Sequence, residues 1–162
     1  MLESISLGTN QKIIPDLKRI PTLSPFSDHD LQRLLAFSKI RKYKTGEEII
    51  TEGTYDGNLY ILIFGRIRVT KKGRPLCVLD KRGDIFGEMS LLGEFSRTAS
   101  VYAEEDVVCL AIDNTSMHRL SESEKASLYY ILYRIFAQTL AGRLKLTSEE
   151  LISVKSKYLK FI

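Results

Sequence analysis

The feature that most constrains the fold is a series of glycines that separates short apolar or alternating runs in the middle of the chain. In one run, Ile67 and Val69 alternate with polar neighbours, as in a half-buried strand. Lys72-Gly73-Arg74-Pro75 is a typical turn into the next run. Short strands with frequent glycine turns predict a β-sandwich or jelly roll over residues 39–113. The glycines are Gly46, Gly53, Gly57, Gly65, Gly73, Gly83, Gly87 and Gly93.

Helices are expected on both sides of this region. Ser27 precedes leucines at helical spacing, and Asp30 follows it as a near capping box. From about Ser123 onwards the apolar residues again recur at helical spacing. We therefore expect a single domain that is mainly β, with N-terminal helices over residues 1–38 and C-terminal helices, one of them long, over residues 114–162.

The long C-terminal helix carries two apolar stripes. Two stripes predict two contacts, one with the sandwich and one with a second helix in a homodimer; a single broad stripe that faces the core is the alternative. The first stripe is Leu128, Leu132, Ile135, Thr139 and Gly142, and the second, at strict 3-4-3-4 spacing, is Leu144, Thr147, Leu151, Val154 and Tyr158.

Composition limits the class of protein. The chain has 162 residues, 44% hydrophobic and 27% charged, which is typical of one globular domain. The charge of +4 permits an anionic partner but does not indicate nucleic acid. Cys77 and Cys109 stand alone in apolar runs, so we expect buried, reduced thiols. No signal peptide or membrane span is recognisable, so we expect a cytoplasmic protein.

An acid and a base, Glu88 and Arg97, stand nine residues apart in a segment with little side-chain bulk. With the period of a strand, Arg97 shares its face with Ala99 and Val101, so it is expected to point inward. A lone buried guanidinium costs several kcal/mol and requires an anion. The small neighbours are Gly87, Ser90, Gly93, Ser96, Thr98, Ala99 and Ser100.

The residues before Arg97 suggest which anion this is. Glu88 to Leu92 resembles one short helical turn, whose first N–H groups would face a phosphate that Gly87 allows to approach. Glu88 would repel a phosphate, but it can accept a hydrogen bond from a hydroxyl of the same ligand. A 3′,5′-cyclic nucleotide offers both a singly charged phosphate and a free ribose 2′-OH.

At this point the sequence resembles the cyclic nucleotide-binding domain family and its phosphate-binding cassette, here residues 83–101. The resemblance covers most of the chain, with motifs in the family's order and spacing. They are Gly46-Glu47, Ile49, Gly53, Tyr60-Ile61, Gly65, Gly83-Asp84, Phe86-Gly87-Glu88, Leu91 and Arg97-Thr98-Ala99-Ser100-Val101.

The resemblance implies roles for individual residues. Arg97 would pair with the cyclic phosphate, helped by the backbone amides of Gly87 and Ser90, while Glu88 would take the ribose 2′-OH. Thr98 would contact the phosphate or the base. The full set of expected ligand-binding residues is Phe86, Gly87, Glu88, Met89, Ser90, Arg97, Thr98, Ala99, Thr147 and Ser148.

The sequence leaves the base open. Thr98 resembles domains that accept cGMP. Thr147 and Ser148 lie in a stretch similar to the dimer helix of bacterial catabolite activators, where a Thr-Ser pair meets adenine; otherwise they are simply polar helix residues. We expect cAMP rather than cGMP. Because the sequence ends at Ile162, before a helix-turn-helix module could fit, we expect no direct DNA binding.

The implied function is that of a non-catalytic sensor. Ligand would order residues 87–97 and shift the C-terminal helix, which would signal to an unknown protein effector. A scaffold of the same fold that mediates protein–protein contacts without ligand is the alternative. An enzyme is not expected, because neither His29 nor His118 lies near a recognisable nucleophile. No metal or cofactor is expected.

Overall fold

In the computed structural model of the protein, residues 2–6, 11–89 and 96–161 are described, with side chains from residue 12 onwards. Short 3₁₀ helices lie at Gln11–Ile13 and Thr115–Arg119. The α-helices are α1 (Ile14–Lys18), α2 (Asp28–Ala36) and α3 (Glu122–Leu159). The strands are β1 (Leu2–Ser6), β2 (Ser38–Tyr43), β3 (Glu48–Ile50), β4 (Asn58–Phe64), β5 (Ile67–Lys71), β6 (Arg74–Leu79), β7 (Ile85–Phe86), β8 (Ser100–Ala103) and β9 (Val107–Asp113).

The described strands form two antiparallel sheets, which confirms the predicted mainly β sandwich with flanking helices. One sheet has the order β1-β2-β9-β4-β7 and the other β3-β8-β5-β6. Neighbours in these orders are mostly far apart in sequence, so the chain crosses repeatedly between the sheets. One connection is local. Lys72 and Gly73, both with positive φ, join β5 to β6 as the two-residue turn of a hairpin.

The first sheet separates two cores, and β4 contributes to both. Leu59 and Ile61 pack towards the helices, whereas Tyr60 and Leu62 face the second sheet. All four are at most 1% exposed. A strand buried on both faces requires an uninterrupted apolar run, as residues 59–64 show.

The helices begin where the sequence predicts. At α2 the Ser27 hydroxyl accepts a hydrogen bond from the Asp30 N–H at 3.1 Å, and the Asp30 carboxylate bonds back to the Ser27 N–H, as in a capping box. Ser121 and Glu124 form the same motif at α3. The buried residues of α3 all lie in its first half: Leu128, Ile131, Leu132, Ile135 and Phe136.

Three expectations were wrong. Residues 2–6 form β1 rather than helix, because they pair with β2, a contact across some forty residues. Cys77 is exposed, because β6 is the edge strand of its sheet; Cys109 is buried as expected. β8 begins at Ser100, so Arg97 precedes the strand rather than lying in it.

None of the helices in the described ranges has both the length and the apolar composition needed to cross a membrane.

Candidate functional site

A cavity of about 240 Å³ opens between the second sheet, the end of β7 and helix α3. Most of its wall is apolar, and its charged members are Glu88, Arg97 and Arg143. The other described lining residues are Ile50, Val69, Leu76, Cys77, Leu79, Phe86, Gly87, Met89, Thr98, Ala99 and Val101.

The backbone fixes Arg97 at the inner wall. Its N–H donates to the Thr54 carbonyl and its carbonyl accepts from the Gly53 N–H, each at 2.8 Å. Because both backbone groups are held by the segment between β3 and β4, the side chain is directed into the sandwich. Arg97 is 4% exposed, so the predicted inward orientation is confirmed, although the strand assignment behind it was not.

The Arg97 guanidinium is held from three directions. One terminal nitrogen donates to the Gly87 carbonyl at 2.8 Å, and the other to the Asn58 carbonyl at 2.6 Å. The second nitrogen also lies 3.0 Å from Oδ2 of Asp56. The Nε atom is buried and has no hydrogen-bond partner within the described residues. A buried donor without a partner is unfavourable and indicates a site for a ligand or water.

Asp56 balances the charge of Arg97. Burial alone would raise the pKa of this carboxyl. Hydrogen bonds from the Asn58 N–H and from Arg97, together with the positive charge of the guanidinium, outweigh that effect and hold the pKa below its usual value. The cavity wall therefore carries an ion pair, not an isolated buried charge.

Gly87 is required at its position for two reasons. Its φ of +76° is a conformation that favours glycine. A Cβ atom there would also lie 2.7 Å from the Arg97 guanidinium and 3.1 Å from the Asn58 carbonyl oxygen. Phe86 fixes the approach to this turn, because its ring stacks on Tyr60 at 5.0 Å between centroids. The Gly87 backbone therefore lies close to Arg97, and the predicted contact of its amide with a phosphate stays a prediction.

Glu88 has a partner that we did not identify from the sequence. An Arg143 nitrogen on α3 donates to Oε1 of Glu88 at 2.7 Å, and the other terminal nitrogen donates to the Ile85 carbonyl. Arg143 therefore ties α3 to the cavity. A signal was available, since Arg143 lies one helical turn before Thr147, but a lone arginine on a helix usually indicates a solvated face.

The other expected residues have different outcomes. Thr98, Ala99 and Met89 line the cavity, and their contact with a ligand stays a prediction. Ser90 lies outside the described residues, as do Leu91 and Gly93, so the predicted turn is seen only at its first two residues, Glu88 and Met89. Thr147 and Ser148 are exposed on α3 and are not part of the cavity wall. Their contact with a base stays a prediction that needs a second subunit.

The arrangement is suited to binding a ligand. It places a buried cation and a carboxylate on the wall of one cavity, among residues that are mostly apolar. His29 and His118 are exposed and lie outside this wall. Within the described residues, no three His, Cys, Asp or Glu side chains lie close enough to hold a metal ion.

Comparison with known proteins agrees with this geometry. The chain is 31% identical over 104 residues to a cAMP-dependent protein kinase regulatory subunit of Eremothecium gossypii. The matched region is 64% of this chain and 23% of that protein. It is 29% identical over 133 residues to a cGMP-dependent protein kinase of Toxoplasma gondii, with coverages of 82% and 13%. The chain thus spans less than a quarter of either relative.

Solved structures and family models give the same result. The structure of the Thermus thermophilus catabolite activator protein matches with a TM-score of 0.61 and 29% identity, over 83% of this chain and 63% of that one. A model of the cyclic nucleotide-binding domain matches residues 40–124, just over half of the 162 residues. The chain belongs to the cyclic nucleotide-binding domain family.

Proposed function

We propose that this chain is a non-catalytic sensor of a cyclic nucleotide. The observation that carries the proposal is the Arg97 guanidinium, 4% exposed at the cavity wall with a buried Nε that lacks a partner in the described residues. A singly charged cyclic phosphate would accept from that nitrogen after a small shift of the side chain, because the atom itself is buried. Arginine suits this role because its fork of donors matches the oxygens of a phosphate.

Glu88 would recognise the ribose. Arg143 contacts Oε1, so the other carboxylate oxygen can accept a hydrogen bond from the 2′-OH. A linear nucleoside monophosphate carries a second negative charge near neutral pH, which Glu88 would repel. The pairing of one cation with one carboxylate therefore favours a singly charged cyclic phosphodiester over a linear phosphate monoester.

We propose cAMP as the preferred ligand over cGMP. Thr147 and Ser148 would reach adenine only from a helix that pairs with a second copy of the chain. Thr98 favours the alternative, because it already lines the cavity in a single chain and resembles the threonine of cGMP-accepting domains. Both kinds of kinase occur among the relatives, so the choice depends on measurement.

The second half of α3 would carry the signal. After Phe136 its apolar residues are exposed, for example Leu144 at 69% and Tyr158 at 72%. The 3-4-3-4 spacing matches a coiled-coil seam, so we propose that it pairs with α3 of a second copy in a homodimer. Ligand bound to the other Glu88 oxygen would change the strength of the contact between Glu88 and Arg143, and so alter the position of α3 that an effector contacts.

Calorimetric titration with cAMP, cGMP and 5′-AMP tests the proposal. We expect saturable binding of one cyclic nucleotide per chain, tighter for cAMP, and at least tenfold weaker binding of 5′-AMP. Replacing Glu88 with glutamine should weaken the binding of cAMP by about 10- to 150-fold, since a hydrogen bond to a charged group contributes about 1.5–3 kcal/mol. The same substitution should change the affinity for 2′-deoxy-cAMP far less, because that ligand lacks the hydroxyl that Glu88 would bind. Absence of binding by either cyclic nucleotide would favour the scaffold alternative.

A further inference from the structure

A second cavity, of about 220 Å³, lies at the end of the sandwich between β2, the start of β4 and the end of β9. None of its lining residues belongs to the first cavity. Ala111 and Gly57 form part of the wall with little bulk, which leaves the hollow open.

Two cations line this second cavity. Lys39 and Arg41 stand two residues apart on β2 and so share a face. Neither forms an ion pair with a carboxylate in the described part of the chain. The Arg41 side chain donates to the Tyr60 hydroxyl at 3.1 Å and also hydrogen-bonds to Tyr43, but its Nε is buried without a partner in the described residues. As with Arg97, a buried unused donor calls for an acceptor.

Asp113 is the carboxylate on the same wall, and donors from its own loop already hydrogen-bond to it. It accepts hydrogen bonds from the Thr115 N–H at 2.9 Å and the Thr115 hydroxyl at 2.6 Å. The Ser116 hydroxyl adds a third at 2.5 Å. The side chains facing the cavity therefore carry two positive charges against one negative charge that is held by neighbouring donors.

We propose that this second cavity binds a compact oxyanion, either inorganic phosphate or the phosphoryl group of a small monoester. Lys39 and Arg41 supply the charge, and the small side chains of the wall supply the room. A phosphate oxygen would accept from the Arg41 guanidinium and the Lys39 ammonium, and a shift of the Arg41 side chain that uncovers its buried Nε would give that donor an acceptor as well.

The position of the cavity connects it to the first one. The Asn58 carbonyl that accepts from Arg97 belongs to a residue of the second wall. The Tyr60 hydroxyl, which accepts from Arg41, lies 3.5 Å from the Asp56 carboxylate that pairs with Arg97. An anion that draws Arg41 away from Tyr60 would therefore alter the surroundings of Arg97. This consequence rests on the proposed function, whereas the anion site does not.

The test is an NMR titration of the nucleotide-free protein with inorganic phosphate, with ionic strength held constant by chloride. We expect saturable shifts of backbone amides in residues 39–41, 57–58 and 111–115. Lys39→Ala removes an exposed side chain and should weaken binding at least threefold, and Arg41→Lys should do the same. Lys145→Ala, an exposed lysine on α3, serves as the matched control. A second titration with methyl phosphate shows whether a substituted phosphoryl group also fits.

Linear, unsaturated shifts would overturn the proposal. So would equal affinities for wild type and both β2 variants, or shifts confined to the residues around Arg97. The connection between the cavities is measured separately, as the change in cAMP affinity on adding phosphate, which Lys39→Ala should abolish. An unchanged cAMP affinity refutes the connection and leaves the titration result standing.

Discussion

Replacing Arg97 with lysine keeps the positive charge but removes the fork of donors that the cavity wall presents. Arg97 bonds to two carbonyls and pairs with Asp56, so a ligand would use the remaining Nε, which a small shift of the side chain has to uncover. Truncating one partner of a buried charge pair costs about 2–5 kcal/mol of binding free energy. At 1.4 kcal/mol per tenfold change, Arg97→Ala should weaken cyclic nucleotide binding by roughly 30- to 4,000-fold.

The lysine variant separates binding from folding. Arg97→Ala leaves the Asp56 carboxylate without its cation and removes the donors from two carbonyls, so it should also destabilise the protein by about 1–3 kcal/mol. Lysine keeps a charge beside Asp56 and can donate to one carbonyl, which should preserve most of the stability. We expect Arg97→Lys to bind more weakly than wild type, at least tenfold, and more tightly than Arg97→Ala.

The assay is calorimetric titration with cAMP, alongside thermal unfolding of each variant. Arg19→Ala, an exposed arginine of the N-terminal segment, is the control and should bind as wild type does. If Arg97→Lys folds with an unchanged Tm and binds cAMP as tightly as wild type, the guanidinium is not the phosphate-binding group and the reasoning is refuted.

Three other perturbations test other parts of the structure. Arg143→Ala removes the contacts of α3 with Glu88 and Ile85. Amide exchange should therefore speed up about tenfold in residues 137–150 and stay unchanged in residues 125–136. Equal exchange rates in the variant and the wild type would contradict the role of Arg143 in holding α3. The lowered folded-state pKa of Asp56 implies a stabilisation that is present above its unfolded value of about 3.9 and is lost as pH falls through the folded value. The Tm difference between wild type and Asp56→Asn should therefore be largest at neutral pH and shrink below about pH 4; a constant difference would refute this origin. Leu151→Glu should convert a dimer into a monomer in sedimentation velocity, whereas Ile152→Glu, which is also exposed but lies outside the stripe, should not. A monomeric wild type would contradict the pairing of α3.

Local signals made much of the fold predictable. The capping residue Ser27 and the turn at Gly73 act within a few residues of chain, so their effect can be read without knowing what lies elsewhere. The glycine spacing indicated a sandwich because turns must interrupt short strands regularly. The inward orientation of Arg97 was inferred from a strand face shared with Ala99 and Val101. The orientation is correct, although the backbone is fixed by Gly53 and Thr54 rather than by a strand.

The features that were missed depend on distant parts of the chain. The five residues of β1 become a strand only because β2 offers an edge. Cys77 is exposed because no further strand covers β6, which the composition of its apolar run does not reveal. The partner of Glu88 stands 55 residues away on α3. Register and helix placement decide such contacts, and neither can be read from a single local pattern.

A crystal structure of the chain with bound cAMP tests the central claim most directly. We predict the cyclic phosphate within hydrogen-bond distance of the Arg97 guanidinium, including its Nε, and the ribose 2′-OH on the Glu88 carboxylate. A nucleotide bound outside the cavity, or a phosphate without contact to Arg97, would contradict it.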